Sequence, residues 1–464
     1  MRDVYVIGAY TTAFKKHPGM SFGDLAREAY MGTLKDAGMK TGADIESGWL
    51  GNCGMGFWGQ NSIRGQALFQ PLVEEGLFPE RVPMFNVENA CATASTAFMG
   101  AWKDVLAGTH ELSFCIGIEK LFSPDAPERT AGLFNQGYIT SQHDRLIEEM
   151  NRVGEMVGSK FEPGADRTIF MDTYAMQAKW HMWKYGTTQE QIAAGAAKNH
   201  NYGALNEKAQ YRFQMTPQSV LEDRPVSYPL TRAMCAPIGD GAAAALLCSK
   251  EYLEKLPASV KERAVKIAGV GFSGGKYRKL DEPGLTRAAS DKAYKMAGLG
   301  PEDIDVAEVH DATSFCEIYQ CEMLRFCPEG EGGRFIASGA TGRFHRALVL
   351  ERQLATSVGL SAASADAVLE GTLGLAEVNE QFAEAADLGI LALTPGSGLT
   401  ETSPASVVKR LYTETTLWSR GVNCDTRLGG LKVDLSLAFE MPDAAWQASE
   451  FSGGKQATDS AGNP

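Results

Sequence analysis

"NVENACATASTAF", residues 86–98, is the stretch where a β-like run gives way to small residues and then to an apolar helical pattern. Cys91 stands at that strand-to-helix corner between two alanines. Two readings fit it. Free cysteine is among the most buried residue types, so an inert core thiol suits the position. A nucleophile suits it as well, because a helix N-terminus favours thiolate over thiol and small neighbours leave room for a substrate.

Upstream of the corner, "VYVIGAY" predicts a first strand. "SFGDLAREAYMGTLKDAGM" follows as an amphipathic helix closing on Gly38, and "GWLGNCGMG" as a strand running into a glycine loop. Downstream, "STAFMGAWKDVLAG" predicts a helix stopped by Gly108, and "LSFCIGIEK" the next strand. Alternating strand and helix is the pattern of a layered α/β fold. From Ser123 to Tyr228 the chain turns rich in Met, Gln and aromatics, with helical pieces such as "DTYAMQAKWHMWKYG". That segment reads as an inserted, mainly helical subdomain, and its Met/aromatic stripe reads as core before it reads as an acyl pocket. "GDGAAAALLCSKEYLEKL" resumes strand and helix. A second passage, "KIAGVGFSGG" and then "LTRAASDKAYKMAGLGPEDIDVAEVHDATSF", repeats the order of the first. An internal duplication of two α/β halves follows. The expected boundaries are 1–122 and 229–262 for the first half, 123–228 for the insert and 263–464 for the second half, atypical after 342.

At 464 residues the chain holds two or three domains with a sizeable core. No apolar run approaches the roughly 18–20 residues of a membrane span. The start reads as a strand at once, without the regions of a signal peptide. The nine cysteines are scattered and form no zinc spacing, so neither disulfides nor a metal site is expected, and a cytoplasmic setting is. A net charge of −13 argues against nucleic acid as a partner.

In the second half, "EVHDATSFCEI" places His310 and Asp311 at the end of an apolar strand, where ligand-facing polar groups belong in α/β folds. "EGEGGRFIASGATG" supplies a glycine-rich loop. Alone, His310 reads as structural. Together with "NACATASTA", "HMWKYGTTQEQIAAGAAKNHNYGALNEKAQY" and "SYPLTRAMCAPIGDGAAAALLCS", these segments resemble the thiolase superfamily, and within it the branch related to sterol carrier protein 2 thiolases. The resemblance runs from Arg2 to Gly342. It implies a duplicated thiolase fold layered α-β-α-β-α, and an acyl-CoA C-acyltransferase working through a cysteinyl thioester. Cys91 is then the nucleophile, with its own backbone N–H as an oxyanion donor. His310 holds the enolate oxygen of the other thioester, and Asp311 positions the loop. Coenzyme A is a co-substrate, with no permanently bound cofactor. The branch also implies a homodimeric core with "VPMFNVEN" near the two-fold axis, and a small zinc-ribbon/OB-fold partner subunit. The likeness in "MRDVYVIGAY" and "NACATAST" extends to members acting on the benzoylsuccinyl-CoA of anaerobic toluene breakdown.

The pattern breaks after Gly342. The family continues with an N-x-x-G-G segment, a G-H-P motif whose histidine activates the nucleophile, and a C-x-G motif whose cysteine moves a proton. Neither of the last two appears after Gly342, and the one "HP", His17–Pro18, lies in the wrong half. By position alone, His345 and Cys424 are the candidates for those roles. The Ala/Leu/Ser-rich tail fits a diverged half, a reading-frame shift or a real loss of acid–base groups, and its abrupt start favours the shift. Two further functions stay open: a retro-aldolase of the same fold, and a non-catalytic subunit that binds acyl-CoA or a partner.

Overall fold

The computed structural model describes residues 2–275, 279–280 and 282–342, and the strands Asp425–Leu428 and Leu431–Asp434. The chain divides into two units, Met1–Arg334 and Phe335–Pro464.

In the first unit β1 is Val4–Thr11 and α1 is Phe22–Asp36. Ser21 caps α1 with a capping box: its Oγ accepts the Asp24 N–H at 3.1 Å, and the Asp24 carboxylate accepts the Ser21 N–H at 2.8 Å. Gly38, at φ 70°, ends the turn after it. Next come β2 (Ser47–Gly51), α2 (Arg64–Glu74), β3 (Met84–Val87), α3 (Thr93–Leu106) and β4 (Leu112–Lys120). The 123–228 segment is helical: α4 (Pro127–Phe134), α5 (His143–Val157), α6 (Ile169–Tyr185), α7 (Gln189–Leu205) and α8 (Pro217–Leu221), before the short strand β5 (Pro225–Ser227). β6 (Leu230–Thr231) pairs with β5; β7 (Asp240–Ser249), α9 (Lys250–Leu253), α10 (Ala258–Lys261) and β8 (Val265–Lys266) complete the first sheet region.

Six strands join in the order β3-β2-β4-β7-β1-β8. β2 runs parallel to β3 and β4, whereas β7 is antiparallel to β4 and β1. Alternation along β4 sorts the two faces. Leu112, Phe114, Ile116 and Ile118 enter a core with α1 and α2, and Cys115 points to the other side, against Ala97, Ala101 and Val105 of α3. Helices therefore cover both faces of the sheet. Met176 and Trp180 of α6 are buried with Met150, Val153 and Phe161, so this part of the Met/aromatic stripe is core.

In the second passage α11 (Leu285–Ala297) forms as expected and stops at Gly298, φ 69°. The strands around it depart from expectation. "KIAGVGFSGG" contributes only Lys266, paired with Tyr5 of β1. Residues 305–310 form no strand, and Val306 is 85% exposed. Their apolar residues suit a strand, but a strand needs a neighbour to accept its ladder. Among the described residues none lies beside them. α12 (Ser314–Met323) follows. In the second unit, β9 (Asp425–Leu428) and β10 (Leu431–Asp434) pair antiparallel.

Candidate active site

Because β2, β3 and β4 are parallel, the loops leaving Gly51, Val87 and Lys120 open at one edge of the sheet. Cys53, the turn carrying Cys91, and Glu119 meet there. After β3 the chain reaches Ala90, whose φ of 45° lies in the left-handed region. For an L-residue that conformation costs roughly 1–2 kcal/mol. A short turn, Ala90–Ala92, then delivers the chain to α3.

The lack of bulk around Cys91 has a packing cause. A Cβ at Gly51 would lie 2.8 Å from the Thr93 carbonyl oxygen, and one at Gly117 would lie 2.4 Å from the Ala94 Cβ. The first turn of α3 rests directly on β2 and β4, and only small residues fit between.

Cys91 is exposed. Even so, the protein crowding its thiol pushes the pKa above the ordinary value, against the pull of its own backbone N–H. Burial is the larger of the two influences. Tyr174 of α6 and Cys316 of α12 lie within electrostatic range of it, so three elements converge on the corner.

His310 is exposed and does not end a strand, which corrects the placement expected from the sequence. Asp311 accepts a hydrogen bond from Asn199 Nδ2 at 3.2 Å. The segment is held instead through α12. Glu317 pairs with Lys198 and accepts from Asn199 at 3.1 Å, both on α7. Buried Glu322 receives His181 Nε2 of α6 and the Gly332 N–H, each at 3.0 Å. His17 is structural: buried, with Nε2 2.8 Å from the Ala13 carbonyl. His345 and Cys424 lie outside the described residues. No group of His, Cys, Asp and Glu suited to a metal exists among the described residues. No described helix is long and apolar enough to cross a membrane.

Sequence reasoning missed Cys53, Thr93 and Glu119. The Glu119 carboxyl, pushed up by burial, accepts the N–H groups of Cys53 at 2.9 Å and Gly54 at 3.1 Å, and Asn52 Nδ2 at 3.1 Å. That fixes the loop bearing Cys53, whose thiol sits 3.3 Å from the Ala90 carbonyl oxygen. Cys53 also lines a cleft of about 340 Å3 with Phe57, Asn61, Arg64 and Gln136. The available signal was topological, since loops after adjacent parallel strands share an edge.

Fold and corner together define a layered α/β protein presenting a thiol at the C-terminal edge of parallel strands. Comparison with known proteins places it further. The model of the thiolase N-terminal domain matches residues 4–226, and that of the thiolase C-terminal domain-like family matches 280–387, a span running past Gly342. Acetyl-CoA acetyltransferase of Methanothermobacter thermautotrophicus is 33% identical over 346 residues, covering 74% of this chain and 82% of its own. Benzoylsuccinyl-CoA thiolase subunit BbsB of Thauera aromatica is 28% identical over 73% of this chain and 79% of its own. Among solved structures, an Ltp2-ChsH2(DUF35) aldolase aligns with a TM-score of 0.54 at 22% identity, covering 74% of this chain and 81% of that one. This chain belongs to the thiolase family, and its fold is the thiolase fold.

Proposed function

We propose that the protein is an acyl-CoA C-acyltransferase of the sterol carrier protein 2 thiolase-like branch, cleaving a β-ketoacyl-CoA with free CoA. One observation carries the reading: Cys91 stands at the head of α3 with its own N–H beside the thiol, where it can serve as nucleophile. The thiolate attacks the β-keto carbon, the bond to the α-carbon breaks, and the electron pair leaves as the enolate of the fragment that keeps the original CoA thioester, which takes up a proton. The acyl group stays on Cys91 until the thiol of CoA displaces it and the proton of CoA returns to the cysteine. His310 donates to the enolate oxygen in this scheme. The cleft beside Cys53 offers room for an acyl group.

The relative from Thauera aromatica supports benzoylsuccinyl-CoA as a substrate to try first. The working assembly is a homodimer core, for which the edge strand β3 and its exposed Phe85 offer a joining surface, with a small zinc-ribbon/OB-fold subunit as its companion in the cytoplasm. The 123–228 segment is the inserted subdomain of that scheme.

Mass spectrometry after incubation with a β-ketoacyl-CoA, free CoA withheld, tests the reading. An acyl adduct on Cys91, lost in Cys91→Ser with folding intact, is the expected result. Turnover without an adduct would transfer the protein to the retro-aldolases, and binding without turnover to non-catalytic subunits. His310→Ala should lower kcat by about 10²–10³-fold with little change in KM, because its donor acts on the enolate and not on the CoA chain.

A further inference from the structure

We infer that Thr93 and Cys53 are positioning residues which hold the peptide before Cys91 in its left-handed turn and so fix where the thiol points. The inference rests on the reading of Cys91 as nucleophile. Ala90 is not a glycine, and φ 45° must be imposed on it by its surroundings. Three groups do so. Thr93 Oγ1 donates to the Ala90 carbonyl at 2.6 Å and accepts the Asn89 N–H at 2.8 Å, bracing both ends of the turn. The Cys53 thiol lies 3.3 Å from the same carbonyl and 3.0 Å from Thr93 Oγ1. The Ala90 N–H donates to Glu88 Oε1 at 2.6 Å.

Two of these groups come from rigid places. Thr93 is buried in the first turn of α3, against Gly51. Cys53 sits on a loop anchored by Glu119. Burial pushes the Cys53 pKa up to about 12, so it remains a thiol whose S–H can donate, and it is no second nucleophile. The clamp explains why a strained turn persists at this corner: relaxing Ala90 to the right-handed region would swing its carbonyl away from both Thr93 and Cys53. Cys91 is the next residue, so its thiol would turn with that carbonyl.

The experiment compares the full chain with Thr93→Val, which keeps the shape of the side chain and loses the hydroxyl. Acyl-adduct formation on Cys91 should slow by about 10- to 100-fold at unchanged KM, since a misplacement near 1 Å costs on that order. Thr93→Ser, which keeps the hydroxyl, should restore most of the rate. So should Ala90→Gly added to Thr93→Val, because glycine adopts the left-handed turn without being held. A role in stability alone predicts no such rescue at position 90. Wild-type rates in Thr93→Val, or a loss that neither change restores, would overturn the inference. Should Thr93→Val fail to fold, Cys53→Ala removes the second contact and is read in the same way. Iodoacetamide labelling of Cys91, followed by peptide mass spectrometry, gives a readout that needs no acyl-CoA. Labelling in the clamp variants at pH 8 should fall by about two- to fivefold, the equilibrium worth of a helix-end interaction. If wild-type Cys91 labels but takes no acyl group, the thiolase reading fails, and the labelling ratio alone decides the clamp.

Discussion

The seating of α3 on the sheet makes Gly117→Ala the most informative perturbation of the scaffold. The new methyl would meet the Ala94 Cβ at 2.4 Å and its Cα at 3.3 Å. Unbonded carbons rest at about 3.5–4.0 Å, so the head of α3 has to retreat by about 1 Å or more. Overpacking of this kind costs about 1–3 kcal/mol. Ala94 is three residues past Cys91 on the same rigid turn, and the displacement therefore reaches the thiol. Acylation of Cys91 should drop by about 10²-fold for a shift of that size. Adding Ala94→Gly removes the nearer atom, and the remaining 3.3 Å contact needs only a few tenths of an ångström of relief. The double variant should recover much of the rate, although glycine in the helix costs up to about 1 kcal/mol of propensity. Urea unfolding followed by far-UV circular dichroism measures the stability term, and timed adduct formation measures the positional one. The two changes should couple, with the pair less harmful than their sum. If Gly117→Ala unfolds and acylates like the parent, the first turn of α3 does not rest on β4.

The raised thiol of Cys91 predicts that its alkylation by iodoacetamide climbs with a midpoint above the ordinary thiol value of 9.0; a midpoint near neutrality would contradict the crowding around it. Stability should also fall on the alkaline side. Cys53, Cys115 and Cys248 are pushed up to about 12 by burial, and the unfolded chain gives up those protons near 9. Folded stability is therefore fully present below pH 9 and declines as pH rises toward 12, which urea titrations across that window will read. Glu322→Leu strips buried His181 Nε2 and the Gly332 N–H of their acceptor, and should cost about 3–5 kcal/mol in the same unfolding assay. A loss below about 1 kcal/mol would mean that α12 is not held by that pair.

Much of the first half was legible because each element carries its own signal. Ser21 and Asp24 mark where α1 begins, Gly38 and Gly108 mark where α1 and α3 stop, and the apolar runs of β4 and β7 suit strands covered on both faces. The 305–310 segment reads as the end of an apolar strand, yet apolar side chains mark only what can be buried, whereas a strand exists only when a neighbour completes its ladder. At the site, Cys91 was visible from its corner. Cys53 and Glu119 were not, since their meeting depends on β2, β3 and β4 lying side by side.

The same geometry narrows what the chemistry still requires. Among the described residues the Cys91 thiol is met by its own backbone N–H, and no carboxylate or imidazole is within hydrogen-bonding reach of it. A crowded thiol with a raised pKa delivers little thiolate at neutral pH, so an acyl-enzyme route needs a base to take its proton. The family assigns that task to the G-H-P histidine, and "VHDATSF" cannot supply it twice if His310 serves the enolate. A separate base would give the adduct-formation rate a second, lower titration, well below the thiol's own; an adduct-formation rate that only follows the alkaline rise of iodoacetamide labelling would refute the need for one.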